Sequence, residues 1–90
     1  MSDTVIGQRT LRQIALEILE NWTDRDGKSV VWFGAKPYLQ AMLQLETIND
    51  VYGYDSAHSI VLYFLSNAQT WRGETARRIK RELKGLCRGN

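Results

Sequence analysis

Six consecutive apolar residues, Ile60-Val61-Leu62-Tyr63-Phe64-Leu65, constrain this chain more than any other feature. Such a run must lie largely out of water, and 90 residues leave room for one hydrophobic core. A buried strand and a buried helix both satisfy the pattern. Small and apolar residues continue at helical spacing as far as Ala68, and no second run of matching character offers a partner strand. The expectation is therefore a helix from Ala57 to about Ala68, capped by Asp55 or Ser56, central to the molecule and packed on every side. Six residues also fall far short of the roughly 20 that span a bilayer.

Other segments supply helices to pack around it. Leu11, Ala15, Ile18, Leu19 and Trp22 share one helical face, with Thr10 as N-cap and turn chemistry over Asn21 to Lys28. Val30 to Phe33 favour a strand by composition. Yet Val31, Ala35, Tyr38, Met42 and Leu45 keep helical spacing through Pro37, which biases Lys36 away from helical angles. Either a helix starts near Pro37 or a longer one kinks there; both predict helix from Tyr38 to Glu46. Ile48 to Tyr54 reads as a loop with Asn49, Asp50 and Gly53 as its turn residues. After a break at 67–70, Thr70 caps a last helix from Trp71 to about Leu86, ended by Gly85 and Gly89. Its apolar face is Trp71, Thr75/Ala76, Ile79, Leu83 and Leu86, and the pairs Glu74/Arg78 and Arg78/Glu82 support it at i,i+4. The predicted class is all-α: a compact bundle of about four helices with a basic amphipathic C-terminal helix. It forms one domain over residues 1–90 with an ordered core at about 8–87.

Chemistry-bearing residues are few. One Cys excludes a disulfide framework and a Cys-based zinc site, and one His weakens most other metal and triad chemistry. Gly27-Lys28-Ser29 looks like the end of a Walker A loop, but Trp22 stands where that motif needs its earlier glycine. Asp50 to Asp55 lacks the ligand spacing of a calcium loop and reads as turn and capping chemistry. His58 near Asp55 reads as a helix-start residue, and Cys87 as an inert thiol beside the apolar face. The expectation is a non-enzyme with no cofactor and no metal. Met1 to Arg9 shows no signal-peptide pattern, which together with the lone thiol predicts a cytoplasmic protein without membrane contact.

Charge is unevenly placed. Residues 1–70 carry five Lys and Arg against eight Asp and Glu, a net of −3, whereas residues 71–90 carry seven against two, a net of +5. On a helix, Arg77, Lys80, Arg81, Lys84 and Arg88 form one stripe opposite Ile79, Leu83 and Leu86. Three readings fit the stripe: a solvated face suited to the helix dipole, a phosphate-facing surface, or a contact for an acidic protein. Five of the seven cations are Arg, which favours bidentate recognition of phosphate or carboxylate.

The segment Gly73-Glu74-Thr75-Ala76-Arg77-Arg78-Ile79-Lys80-Arg81-Glu82-Leu83, after a helix and a break, resembles the second half of bacterial helix-turn-helix domains over about 20 residues. It departs at Gln69, where those domains prefer a small residue, and in having no wing after it. The resemblance implies Arg77, Arg78 and Arg81 facing a groove and Thr70 on a phosphate. Trp22, Tyr38, Phe64 and Trp71 fit core faces, whereas Trp32, Phe33, Tyr52 and Tyr54 lie outside them as candidate interface anchors. The alternative is that 29–34 folds back over the bundle.

The run Ala35-Lys36-Pro37-Tyr38-Leu39, then Tyr52-Gly53, Asp55-Ser56, Ser59 to Asn67 and Thr70 to Glu74, resembles small uncharacterised bacterial and prophage proteins over about residues 28–86. That resemblance implies a bacterial or phage setting and brings no activity or site residues. The leading expectation is a small binding module that engages a protein partner, as a homodimer or an inhibitor. The alternative is a DNA- or RNA-binding domain using the basic helix 71–88.

Overall fold

A computed structural model describes residues 9–88. Four α-helices account for most of it: α1 (Leu11–Asn21), α2 (Lys36–Met42), α3 (Ala57–Ser66) and α4 (Glu74–Arg88). A two-stranded antiparallel hairpin, β1 (Val51–Tyr52) and β2 (Asp55–Ser56), precedes α3. The chain is thus mostly helical but not purely so, which corrects the all-α expectation.

The predicted cap of α1 forms. Thr10 Oγ1 accepts from the Gln13 amide at 3.0 Å, and the Gln13 side chain accepts from the Thr10 amide at 2.8 Å. The helix buries Leu11, Ile14, Ala15 and Ile18, and Trp22 follows it into the core. Asp24 then closes a tight turn, accepting from the Asp26 and Lys28 amides at 2.9 and 3.0 Å. This turn is what Gly27-Lys28-Ser29 builds.

Val30 to Trp32 is neither helix nor strand, and Phe33 begins a 3₁₀ turn rather than an α-helix. The chain passes Val31 and Trp32 without regular structure, makes a single 3₁₀ turn at Phe33–Ala35, and enters α2. Pro37 lies in the first turn of α2, where its missing N–H costs no hydrogen bond, so the helix starts there rather than kinking. It stops at Met42, four residues short of the expected Glu46. The cause is Asp50, whose carboxylate takes the Glu46 and Thr47 amides at 2.9 and 3.1 Å. A continuing helix would have used those amides for its own ladder. The Leu45 and Glu46 carbonyls turn to α1, accepting from the Arg12 and Leu11 amides at 3.1 and 2.9 Å. They satisfy donors that a helix start leaves unpaired.

The segment read as a loop ends in the hairpin, with Val51 opposite Ser56 and Tyr52 opposite Asp55. Gly53 turns it at φ +63°, the left-handed conformation that tight hairpins require and side chains resist. Of the two candidate caps for α3, Ser56 serves, its Oγ accepting from the Ser59 amide at 3.1 Å. Ala57, Ile60, Val61 and Phe64 are buried, but Leu62 and Tyr63 are exposed, so α3 is not packed on every side.

The last helix begins at Glu74 rather than Trp71. Trp71 is drawn into the core, and Gly73 adopts φ +112°, which no helix tolerates. Thr70 therefore caps nothing. The helix then runs through Gly85 to Arg88, absorbing the roughly 1 kcal/mol an interior glycine costs; Gly89 lies outside the described residues.

At the centre, Trp22 stacks on Trp71 (centroids 5.6 Å apart, planes at 18°), and Phe64 meets both edge-on. Trp71 Nε1 donates to Asn21 Oδ1 at 2.9 Å, so the indole enters the core without an unpaired donor. The expected i,i+4 pairs of α4 are replaced by cross-helix ones. Arg78 binds Glu17 of α1, and Arg9 bridges Glu17 at 2.7 Å and Glu82 at 2.7 Å.

Candidate interaction surfaces

The basic stripe forms, though one member is diverted. Arg77, Arg81, Lys84 and Arg88 project from the outer face of α4, exposed and without an ion pair among the described residues. Lys80 instead turns back, donating from Nζ to the Trp71 carbonyl at 2.7 Å and lying 5.9 Å above the indole centroid. Partial burial, then the nearby Lys84 and Arg72, lower its pKa from the ordinary lysine value. Its first duty is to hold the 67–73 connection against α4.

Arg78, one of the three groove-facing residues implied by the helix-turn-helix resemblance, is occupied by Glu17. Seven residues, 67–73, separate α3 from α4, more than the three or four of a helix-turn-helix turn. That arrangement does not match the resemblance. Arg77 and Arg81 form a ridge between two open troughs, one of about 280 Å³ floored by Lys80, Lys84 and Arg88, the other of about 470 Å³ bounded by Glu74, Thr75 and Arg78.

The four candidate interface aromatics are all exposed: Phe33 at 69%, Trp32 at 46%, Tyr52 at 44%, and Tyr54 fully so at the hairpin turn. They fall into two groups. Trp32 and Phe33 pack on each other, centroids 4.5 Å apart, at the C-terminal end of α3, whereas Tyr52 and Tyr54 ride on the hairpin at its N-terminal end. Only Val31 of the 29–34 segment folds into the core, so that segment covers the core in part.

Between the groups runs a stripe that the apolar pattern of α3 assigns to the interior. Leu62 and Tyr63 lie on the open side of α3, with Tyr63 against half-buried Tyr38 of α2 at 5.5 Å. Ser59 and Ser66, seven residues apart on that side, were the signal that one face of the apolar run meets water. Trp32, Ser66, Asn67, Gln69 and Thr70 line a shallow hollow of about 240 Å³, joining the Trp32 end to the α3 stripe. Gly34 makes that junction. A Cβ there would stand 2.6 Å from Trp32 Nε1 and 2.9 Å from Asn67 Oδ1, so the indole seats only over a glycine.

Among the other candidates, Asp50 serves structure. Asp50 is engaged by the amides that end α2, which, with the Thr47 hydroxyl, lower its pKa. No hydrogen bond joins His58 to Asp55 among the described residues. Burial raises the Cys87 thiol pKa, the opposite of what a reactive thiol needs. No helix among the described residues is long and apolar enough to cross a membrane. No protein-family model matches the chain, and neither curated proteins nor solved structures yield a match.

Proposed function

We propose that this chain is a small non-enzymatic binding module of bacterial or phage origin, working in the cytoplasm, that engages a protein partner through the surface formed by Trp32, Phe33 and Tyr63. The helices act as a bundle-like scaffold for it. One observation carries the reading: Trp32 and Phe33 spend their packing on each other, outside a core that already contains Trp22, Phe64 and Trp71. Leaving such rings in water forgoes about 1.5–3 kcal/mol for each side chain that could be buried. Aromatic side chains are enriched among the few residues that carry most of the binding energy of a protein interface. Tyr52 and Tyr54 extend the contact toward the hairpin end.

Affinity capture from lysate of the producing cells, with and without nuclease, tests it. A discrete protein retained after nuclease treatment, and lost with the double variant Trp32→Ala/Phe33→Ala, supports the reading. Light scattering of the purified chain identifies a second copy as that partner if the mass doubles and the variant restores the monomer. A monomer with no protein lost by the variant overturns it.

A further inference from the structure

From the outer face of α4 we infer a second activity, independent of the aromatic surface: Arg77, Arg81, Lys84 and Arg88 bind the phosphate backbone of double-stranded DNA. Three observations carry this beyond a charge count. First, the helix sorts its cations. Arg78 is neutralised by Glu17 and Lys80 is hydrogen-bonded to the Trp71 carbonyl, so those two are used by the fold, while the other four have no acidic partner among the described residues. Second, the four lie within about 60° of arc and along about 16 Å of helix, a straight row set on a rigid element. Third, the residues beneath them, Ala76, Ile79 and Leu83, are buried, so the orientation of the row is fixed by the core.

The surroundings choose among polyanions. A membrane-surface helix needs an apolar face free to enter the lipid, and the apolar face of α4 is spent on the core. Single strands are held by aromatic stacking beside a basic track, but α4 carries no aromatic residue and the ring beneath Lys80, Trp71, is 2% exposed. B-DNA has a major groove about 12 Å wide that admits an α-helix between its flanking phosphates, whereas the deep, narrow major groove of double-stranded RNA does not. Backbone contact through four cations is read by charge alone, so binding is independent of sequence.

The test is fluorescence anisotropy of a labelled mixed-sequence 20-base-pair DNA titrated with the full chain at several salt concentrations. Four phosphate contacts predict a log–log salt slope of about −3.6, a loss of roughly 150-fold in affinity from 50 to 200 mM salt. Arg81→Gln and Lys84→Gln should each lower the magnitude of the slope by about 0.9, and Arg81→Glu/Lys84→Glu should abolish binding. Arg78→Gln should leave the slope unchanged, because Glu17 already occupies that guanidinium. Circular dichroism confirms that each variant is folded. Absence of binding at 50 mM salt, an equal effect of Arg78→Gln, tighter binding of single-stranded DNA or double-stranded RNA, or equal displacement by polyglutamate would each overturn the inference; the last would assign the face to an acidic protein.

Discussion

Trp32 and Phe33, adjacent in sequence, pack ring against ring 4.5 Å apart on the surface, while Val31 beside them is buried. One residue of the segment anchors the chain and the next two are offered to solvent. Trp32 immediately precedes the 3₁₀ turn at Phe33–Ala35 and Phe33 opens it, so the two exposed rings meet at the start of that turn. The two Trp residues that stabilise the fold, Trp22 and Trp71, stack on each other elsewhere. The aromatics that hold the core together are therefore not those offered to solvent.

That separation predicts opposite outcomes for similar truncations. Trp22→Ala removes a ring that stacks on Trp71 and meets Phe64, and should cost about 3–5 kcal/mol. Phe33→Ala should change stability by less than about 0.5 kcal/mol. Urea unfolding followed by circular dichroism measures both, and comparable losses would show that Phe33 belongs to the core.

Gly34 offers a test that touches no proposed contact atom. An added methyl has to displace the Trp32 indole or the Asn67 side chain, each within 3 Å of where it would sit. Gly34→Ala should shift the indole resonance of Trp32 in NMR spectra and weaken partner capture, while the signals of Trp22 and Trp71 stay in place. An unmoved Trp32 would mean that the glycine does not seat it.

Glu17 predicts a pH dependence. Arg78 first, and Arg9 second, hold its carboxyl below the usual glutamate value. A carboxyl whose pKa is lower in the folded state stabilises fully above its unfolded pKa, and that contribution fades as pH falls through the folded value. Thermal stability should therefore decline below about pH 4.5. Glu17→Gln should lower stability at pH 7 by roughly 0.5–1 kcal/mol, a modest figure because the pair is partly exposed, and should flatten the acid limb. An acid limb of unchanged steepness in the variant would place the titration on other groups.

Much of the helix content was legible in the residues. Thr10 with Gln13, Pro37 in a first turn and Ser56 before Ala57 are local signals, and each acts within four residues of itself. The misreadings came from longer-range competition. Asp50 ends α2 early by capturing two amides, and the burial of Trp71 delays α4 until Glu74. The hairpin is two residues per strand, too short for any alternation to register.

The surfaces were legible in part for the same reason. All members of the basic stripe share a face by periodicity, but only tertiary placement shows that Lys80 turns to the Trp71 carbonyl and that Glu17 claims Arg78. Trp32 and Phe33 could be named as unplaced aromatics. Tyr63 could not be joined to them, because the apolar run around it concealed an open face that Ser59 and Ser66 mark.

Site-specific photocrosslinking tests the central claim most directly. A benzophenone amino acid replaces Phe33, or in a control replaces Leu16, which is likewise exposed but lies on α1. The chain is then illuminated in lysate of the cells that produce it. The proposed interface predicts one discrete protein adduct from position 33, identified by mass spectrometry as another protein or as a second copy of this chain, and none from position 16. The same diffuse pattern from both positions, or no adduct from position 33, would contradict it.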